Sequence, residues 1–131
     1  MLQFLDILFY PIHIGFILYS LFGWAWRRQR RVHLIFIGVI AACWFGIGLV
    51  SGYGIGYCPL TDWHWQVKGQ LGQRGLPMSF IKHLWDSVLP VAISPAAANT
   101  LTFTAFYATV AITVYLNFFQ RMPRDEKAAD D

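Results

Sequence analysis

Four histidines and two cysteines are the side chains best suited to chemistry in this chain: His13, His33, His64, His83, Cys43 and Cys58. Imidazole nitrogen and thiolate sulfur can bind zinc, copper or heme iron, and imidazole also handles protons near neutral pH. His13 is the most informative of them. It stands in a run without Asp, Glu, Lys or Arg, where an imidazole costs free energy unless it finds a partner. Pro11 leaves a backbone carbonyl one turn earlier without its usual donor, which offers a structural partner for the same ring. His64 between Trp63 and Trp65, and His83 beside Lys82, read as solvated surface groups, and Cys58 beside Pro59 as a packed thiol. No spacing matches a tight metal motif or a covalent heme attachment, and no serine or cysteine stands with a recognisable base and orienter.

The elements that must position these groups are apolar helices. Hydrophobic residues make up 56% of the 131 residues and charged residues only 13%, with a mean hydropathy of +0.46. A soluble domain of this size could not hide so much apolar surface in one core, so lipid must solvate part of it. The expected fold is all-α: an integral membrane bundle of about three transmembrane helices with two short interfacial helices on the external side.

The first uncharged run gives a span over about 7–26, which ends in Trp24 and Trp26 at the headgroup boundary and then in Arg27, Arg28, Arg30 and Arg31. The second span is expected over about 32–57. It finishes in Gly48, Gly52 and Gly56, a spacing that on a helix makes a flat strip for helix packing or oligomer contact. The same glycines also read as a loosened helix end before Pro59. If that second segment is one helix to its end, Cys43 and Cys58 lie about 22 Å apart and cannot pair as a disulfide.

The two interfacial helices are expected over about 61–71, capped by Thr61, and about 79–89, capped by Ser79. The stripes Trp63, Val67, Leu71 and Phe80, Leu84, Val88 should fold them back onto the span ends, bringing His64 or His83 toward His13, about 9 Å below that surface. A third span covers about 97–119, with Ser94 and Pro95 at its start, and residues 121–131 form a tail.

Orientation follows from the basic residues. The arginine turn and the tail hold seven of the ten Lys and Arg residues and the connection between spans two and three holds three, which predicts the N-terminus outside and the C-terminus in the cytoplasm. The basic residues cluster at helix ends, where anionic lipid is the counter-charge, so nucleic acid is not an expected partner.

Cys58-Pro-Leu-Thr61, followed by Trp63, Trp65 and Leu76-Pro-Met-Ser-Phe-Ile-Lys-His83, resembles a family of small bacterial membrane proteins known only as a domain of unknown function. His13 in the first helix and His33 after the basic turn extend the resemblance over most of the chain, while His64 stands where the family commonly has a glutamate. The resemblance implies a multi-helix inner-membrane protein and brings no activity with it.

Two functional readings follow. The first is a non-catalytic accessory subunit or small oligomeric scaffold, whose partners are the lipid bilayer and other membrane subunits or itself, with no cofactor. The second is a membrane redox or metal-binding protein, holding heme or a transition metal at an external site built from His13 with His64, His83 or Cys58.

Overall fold

The computed structural model describes residues 1–120, and the expected tail at 121–131 lies outside the described residues. Every regular element in the described residues is helical. Helix α1 is Leu2–Phe22, and two short 3-10 turns, Gly23–Ala25 and Arg27–Gln29, carry the chain to α2. Helix α2 begins with Arg30–Ala41, widens into a π-helical stretch at Ala42–Ile47 and closes with Gly48–Val50. Helices α3 (Pro59–Gln70) and α4 (Phe80–Val88) are short, and α5 is Pro95–Phe118. Three stretches, Leu2–Ala25, Arg27–Val50 and Pro95–Phe118, are long and apolar enough to cross a membrane.

Helix starts follow local chemistry. Ser79 accepts a hydrogen bond from the Lys82 amide at 3.4 Å, and Ser94 accepts one from the Ala97 amide at 3.1 Å with Pro95 just inside the helix. Thr61 does not cap α3. Pro59, lacking an amide proton and fixed in φ, starts that helix two residues earlier, leaving Cys58 as the cap residue and Thr61 buried inside the first turn.

The second span ends seven residues before the expected Tyr57. Gly52, Gly54 and Gly56 take φ of +78°, +88° and +98°, a left-handed backbone in which no helical strip can continue, so the three glycines Gly48, Gly52 and Gly56 do not form one packing face. The chain instead curls back, and the Gly54 amide donates to the Gly48 carbonyl at 2.9 Å. Close approach survives at Gly48, where a Cβ would overlap the Gly54 carbonyl oxygen and lie 3.1 Å from the Tyr57 Cβ. Its neighbour is the returning loop, not another helix.

Buried polar side chains outnumber buried apolar ones among the described residues. Ile37, Phe80, Ala98 and Phe106 are buried, yet so are His13, His33, Thr61, His64, Lys68, Thr109 and Thr113, while Ile7, Phe16, Ile35, Val39, Tyr115 and Phe118 face outward. That distribution suits a chain whose flanks meet lipid or other apolar surfaces, because polar groups must then find their partners inside. Between α2 and α5 the wide π turn seats Trp44 against Phe106, ring centroids 4.5 Å apart, and edge-on against Phe103 at 5.3 Å.

Candidate functional site

Two polar clusters occupy opposite ends of the spans. At the arginine end, His33 is fully buried, its Nε2 3.0 Å from the Ser20 carbonyl and its Nδ1 3.2 Å from the Thr113 hydroxyl. Thr109, Thr113 and Asn117 share one face of α5 at helical spacing, and the Asn117 amide donates to the carbonyls of Thr113 and Arg30. Gly23 leaves the space that the His33 ring fills. Trp24 donates its indole N–H to the Leu21 carbonyl and Arg30 donates to the Trp24 carbonyl, whereas Trp26, Arg27, Arg28 and Arg31 are exposed.

The other end is closed by a cover made of α3, α4 and the loop between them. Asp6, Phe9, Tyr10 and His13 lie at i, i+3, i+4 and i+7 on α1 and so present one stripe to that cover. On α3, His64 and Lys68 are one turn apart and bracket Asp6: His64 Nε2 and Lys68 Nζ lie 2.7 and 2.9 Å from the same Asp6 Oδ1. His64 is 0% exposed, Lys68 3% and Asp6 16%. Lys68 also stands 5.1 Å above the Tyr10 ring, and Phe9 stacks on His64 at 5.0 Å. From α4, Phe80 lies flat on His13 at 3.8 Å, and the Tyr10 hydroxyl meets His83 Nε2 at 2.9 Å.

The electrostatics follow from this burial. Desolvation pushes the His64 imidazole below its ordinary pKa, with the Lys68 charge adding to the effect, and the Asp6 hydrogen bond does not reverse it. His83 is pushed down by burial and by the Lys68 charge. Burial opposes the Lys68 charge, but the Asp6 and Tyr10 contacts outweigh it and raise its pKa. The resting cluster is therefore an ammonium and a carboxylate with neutral imidazoles around them. Neutral His64 donates through Nε2 to Asp6, which leaves its Nδ1 as a buried acceptor without a partner. Further along the cover, Lys82 pairs with Asp86 at 2.6 Å and also bonds the Ile93 carbonyl, which ties α4 to the segment leading into α5.

The structure brings His13, His64, His83 and Cys58 to one end, and the expected surface solvation of His64 is overturned. Its partner Asp6 lies 58 positions away, and the flanking aromatic rings bury it rather than float it at an interface. His13 is 5% exposed, its Nε2 lies 4.0 Å from Cys58 Sγ, and its Nδ1 has no partner. Among the described residues no group of three His, Cys, Asp or Glu is close enough to hold a metal ion. Cys43 and Cys58 are both free thiols. Asp6, Tyr10 and Lys68 are neighbours of the histidines that residue type alone did not single out. For Asp6 and Tyr10 the signal was their i, i+4, i+7 stripe with His13 on an otherwise apolar helix; Lys68 carried no such signal.

An all-helical chain with three membrane-length apolar helices and a covered polar cluster defines a small membrane-type helical bundle. It belongs to the family described as Protein of Unknown function (DUF2784), whose model matches residues 3–119. No curated protein and no solved structure matches the chain.

Proposed function

We propose that the protein is a non-catalytic inner-membrane subunit that assembles laterally, with other membrane proteins or with copies of itself, beneath a cover that seals one end of its spans. One observation carries the reading: the polar groups at the cover end are joined chiefly to one another, Asp6 to His64 and Lys68 and Tyr10 to His83, so that their chemistry goes into holding the cover. The apolar flanks, including Ile35 and Val39 on α2 and Tyr115 and Phe118 on α5, are left for contact in the bilayer. Single cysteines placed at Ile35 or Val39, in a chain with Cys43→Ser and Cys58→Ser, should cross-link in native membranes to a defined partner or to a second copy. Random, concentration-dependent adducts would instead mark those flanks as lipid-facing only.

The orientation proposed with it puts the cover outside, the arginine turn and C-terminus in the cytoplasm. A membrane-impermeant maleimide added to intact cells should then label Cys58. Measured against a fully exposed cysteine at the same pH, which carries the fall in thiolate fraction, labelling should rise as external pH falls below 6.5, the ordinary histidine value. The sign follows from linkage: His64 and His83 have depressed pKa values, so their contribution to closing the cover is present above 6.5 and is lost as pH falls toward their folded values. His64 faces Asp6 and Tyr10 of α1 and Lys68 of its own helix, while His83 faces Tyr10, Lys68 and Asp86. Labelling confined to inverted vesicles would overturn the orientation, and labelling that only tracks the exposed cysteine would remove the histidines from cover closure.

A second reading, a histidine ligand site at the cover end, is favoured by the two buried imidazole nitrogens without partners, His13 Nδ1 and His64 Nδ1. Heme or a transition metal is the ligand class that neutral imidazole suits.

A further inference from the structure

We infer that the arginine end carries a site for the phosphodiester of an anionic phospholipid, built from Arg27, Arg28 and Arg31. Unmet charge is the first argument. Arg27, Arg28, Arg30 and Arg31 crowd one turn, and spacings of three and four bring Arg28 and Arg27 each close to Arg31, where like charges repel. Among the described residues no Asp or Glu pairs with any of the four. The tail at 121–131 holds three basic and four acidic side chains, a net of −1, which is too little to balance them. A phosphate oxyanion meets the need, because its oxygens accept from several guanidinium N–H groups at once.

Helix direction sharpens that need. Arg30 and Arg31 stand in the first turn of α2, the end at which the helix dipole already presents positive charge. That turn contains no acidic residue, and Gln29 gives it no side-chain cap. Cations suit the opposite end of a helix, so an anion is what this end lacks. Arg30 Nε donates to the Trp24 carbonyl and so holds the turn, while Arg27, Arg28 and Arg31 remain exposed.

Apolar surroundings decide between a lipid and a free anion. Phe22 and Trp26 precede the arginines in the chain and Val32 follows them, and all three are more than half exposed. A soluble phosphate would leave these side chains uncovered, whereas the acyl chains joined to a phosphodiester cover them in the same binding event. The site lies away from the cover and draws on none of its polar groups.

The test is lipid retention by the full-length protein, stripped in mild detergent, offered equal amounts of phosphatidylglycerol and phosphatidylcholine, and read by native mass spectrometry. The wild type should retain phosphatidylglycerol over phosphatidylcholine by about tenfold or more, since each basic side chain beside an anionic surface contributes about fivefold. Arg27→Gln, Arg28→Gln and Arg31→Gln together should erase that preference. Arg74→Gln, which removes an exposed base from the loop between α3 and α4, should leave it intact. A wild type without the preference overturns the assignment whether or not any variant folds, and so does a triple variant that keeps it. An equal loss in Arg74→Gln would reduce the effect to net charge, and displacement of the lipid by millimolar inorganic phosphate would make the ligand a free anion; either result also overturns the lipid site.

Discussion

Replacing Asp6 by alanine is expected to release the cover from α1 and to cost about 3 kcal/mol of stability, because it strands the buried Lys68 ammonium without its counter-charge. The same change removes the acceptor of His64 Nε2, so two groups on one face of α3 lose their partner together. Thermal unfolding in detergent, followed by tryptophan fluorescence, measures the loss, and proteolysis in the loop after Gln70 reports the opened cover. The pair Asp6→Leu with Lys68→Met should recover much of the stability, since removing both charges also removes their desolvation cost. An Asp6→Ala protein that melts with the wild type would mean that solvent already screens the pair through the exposed part of Asp6.

Gly48→Ala is expected to destabilise the end of α2 by about 1–3 kcal/mol, the usual cost of forcing extra volume into a filled site. The added methyl would meet the Gly54 carbonyl oxygen and the Tyr57 Cβ, and neither is the free end of a flexible side chain. Gly52 makes the contrast. Nothing lies within 4 Å of its Cβ position, and its difficulty is only φ of +78°, so Gly52→Asn should be tolerated within about 1 kcal/mol. Melting curves of the two variants check this. Equal tolerance would show that the returning loop yields, and equal damage would restore a packing role for Gly52.

The contrast marks what residue types can and cannot disclose. Uncharged runs reveal most of each span because lipid excludes unpaired charge, although α1 begins at Leu2 and so carries Asp6, which pairs with Lys68; Ser79 and Ser94 reveal helix starts because capping is a local hydrogen bond. A glycine run is ambiguous in the same local terms. Gly48, Gly52 and Gly56 have helical spacing, and only the backbone's left-handed turn decides against the strip. Thr61 misled for a related reason, since Pro59 competes for the same helix start and fixes φ directly.

The cover end was legible as a tendency of amphipathic helices to fold back, and its chemistry was only half legible. Imidazoles and a thiol can be counted, but the pairings that decide their state join Asp6 to His64, Tyr10 to His83 and His13 to Cys58 across 45 to 73 positions. Nothing near His64 in the chain betrays a carboxylate partner, and its tryptophan neighbours suggest an interface. The stripe on α1 was the missing clue: a carboxylate, a phenol and an imidazole aligned on one side of an apolar helix need a polar surface to face.

Those long separations also set a timetable for biosynthesis. At roughly 5–20 residues per second, α1 leaves the ribosome several seconds before α3 and α4 exist. During that interval Asp6, Tyr10 and His13 have no protein partners, and water, lipid headgroups or the insertion machinery must solvate them. The first helix therefore emerges as an incomplete surface, which is completed only when His64, Lys68 and His83 arrive to close over it.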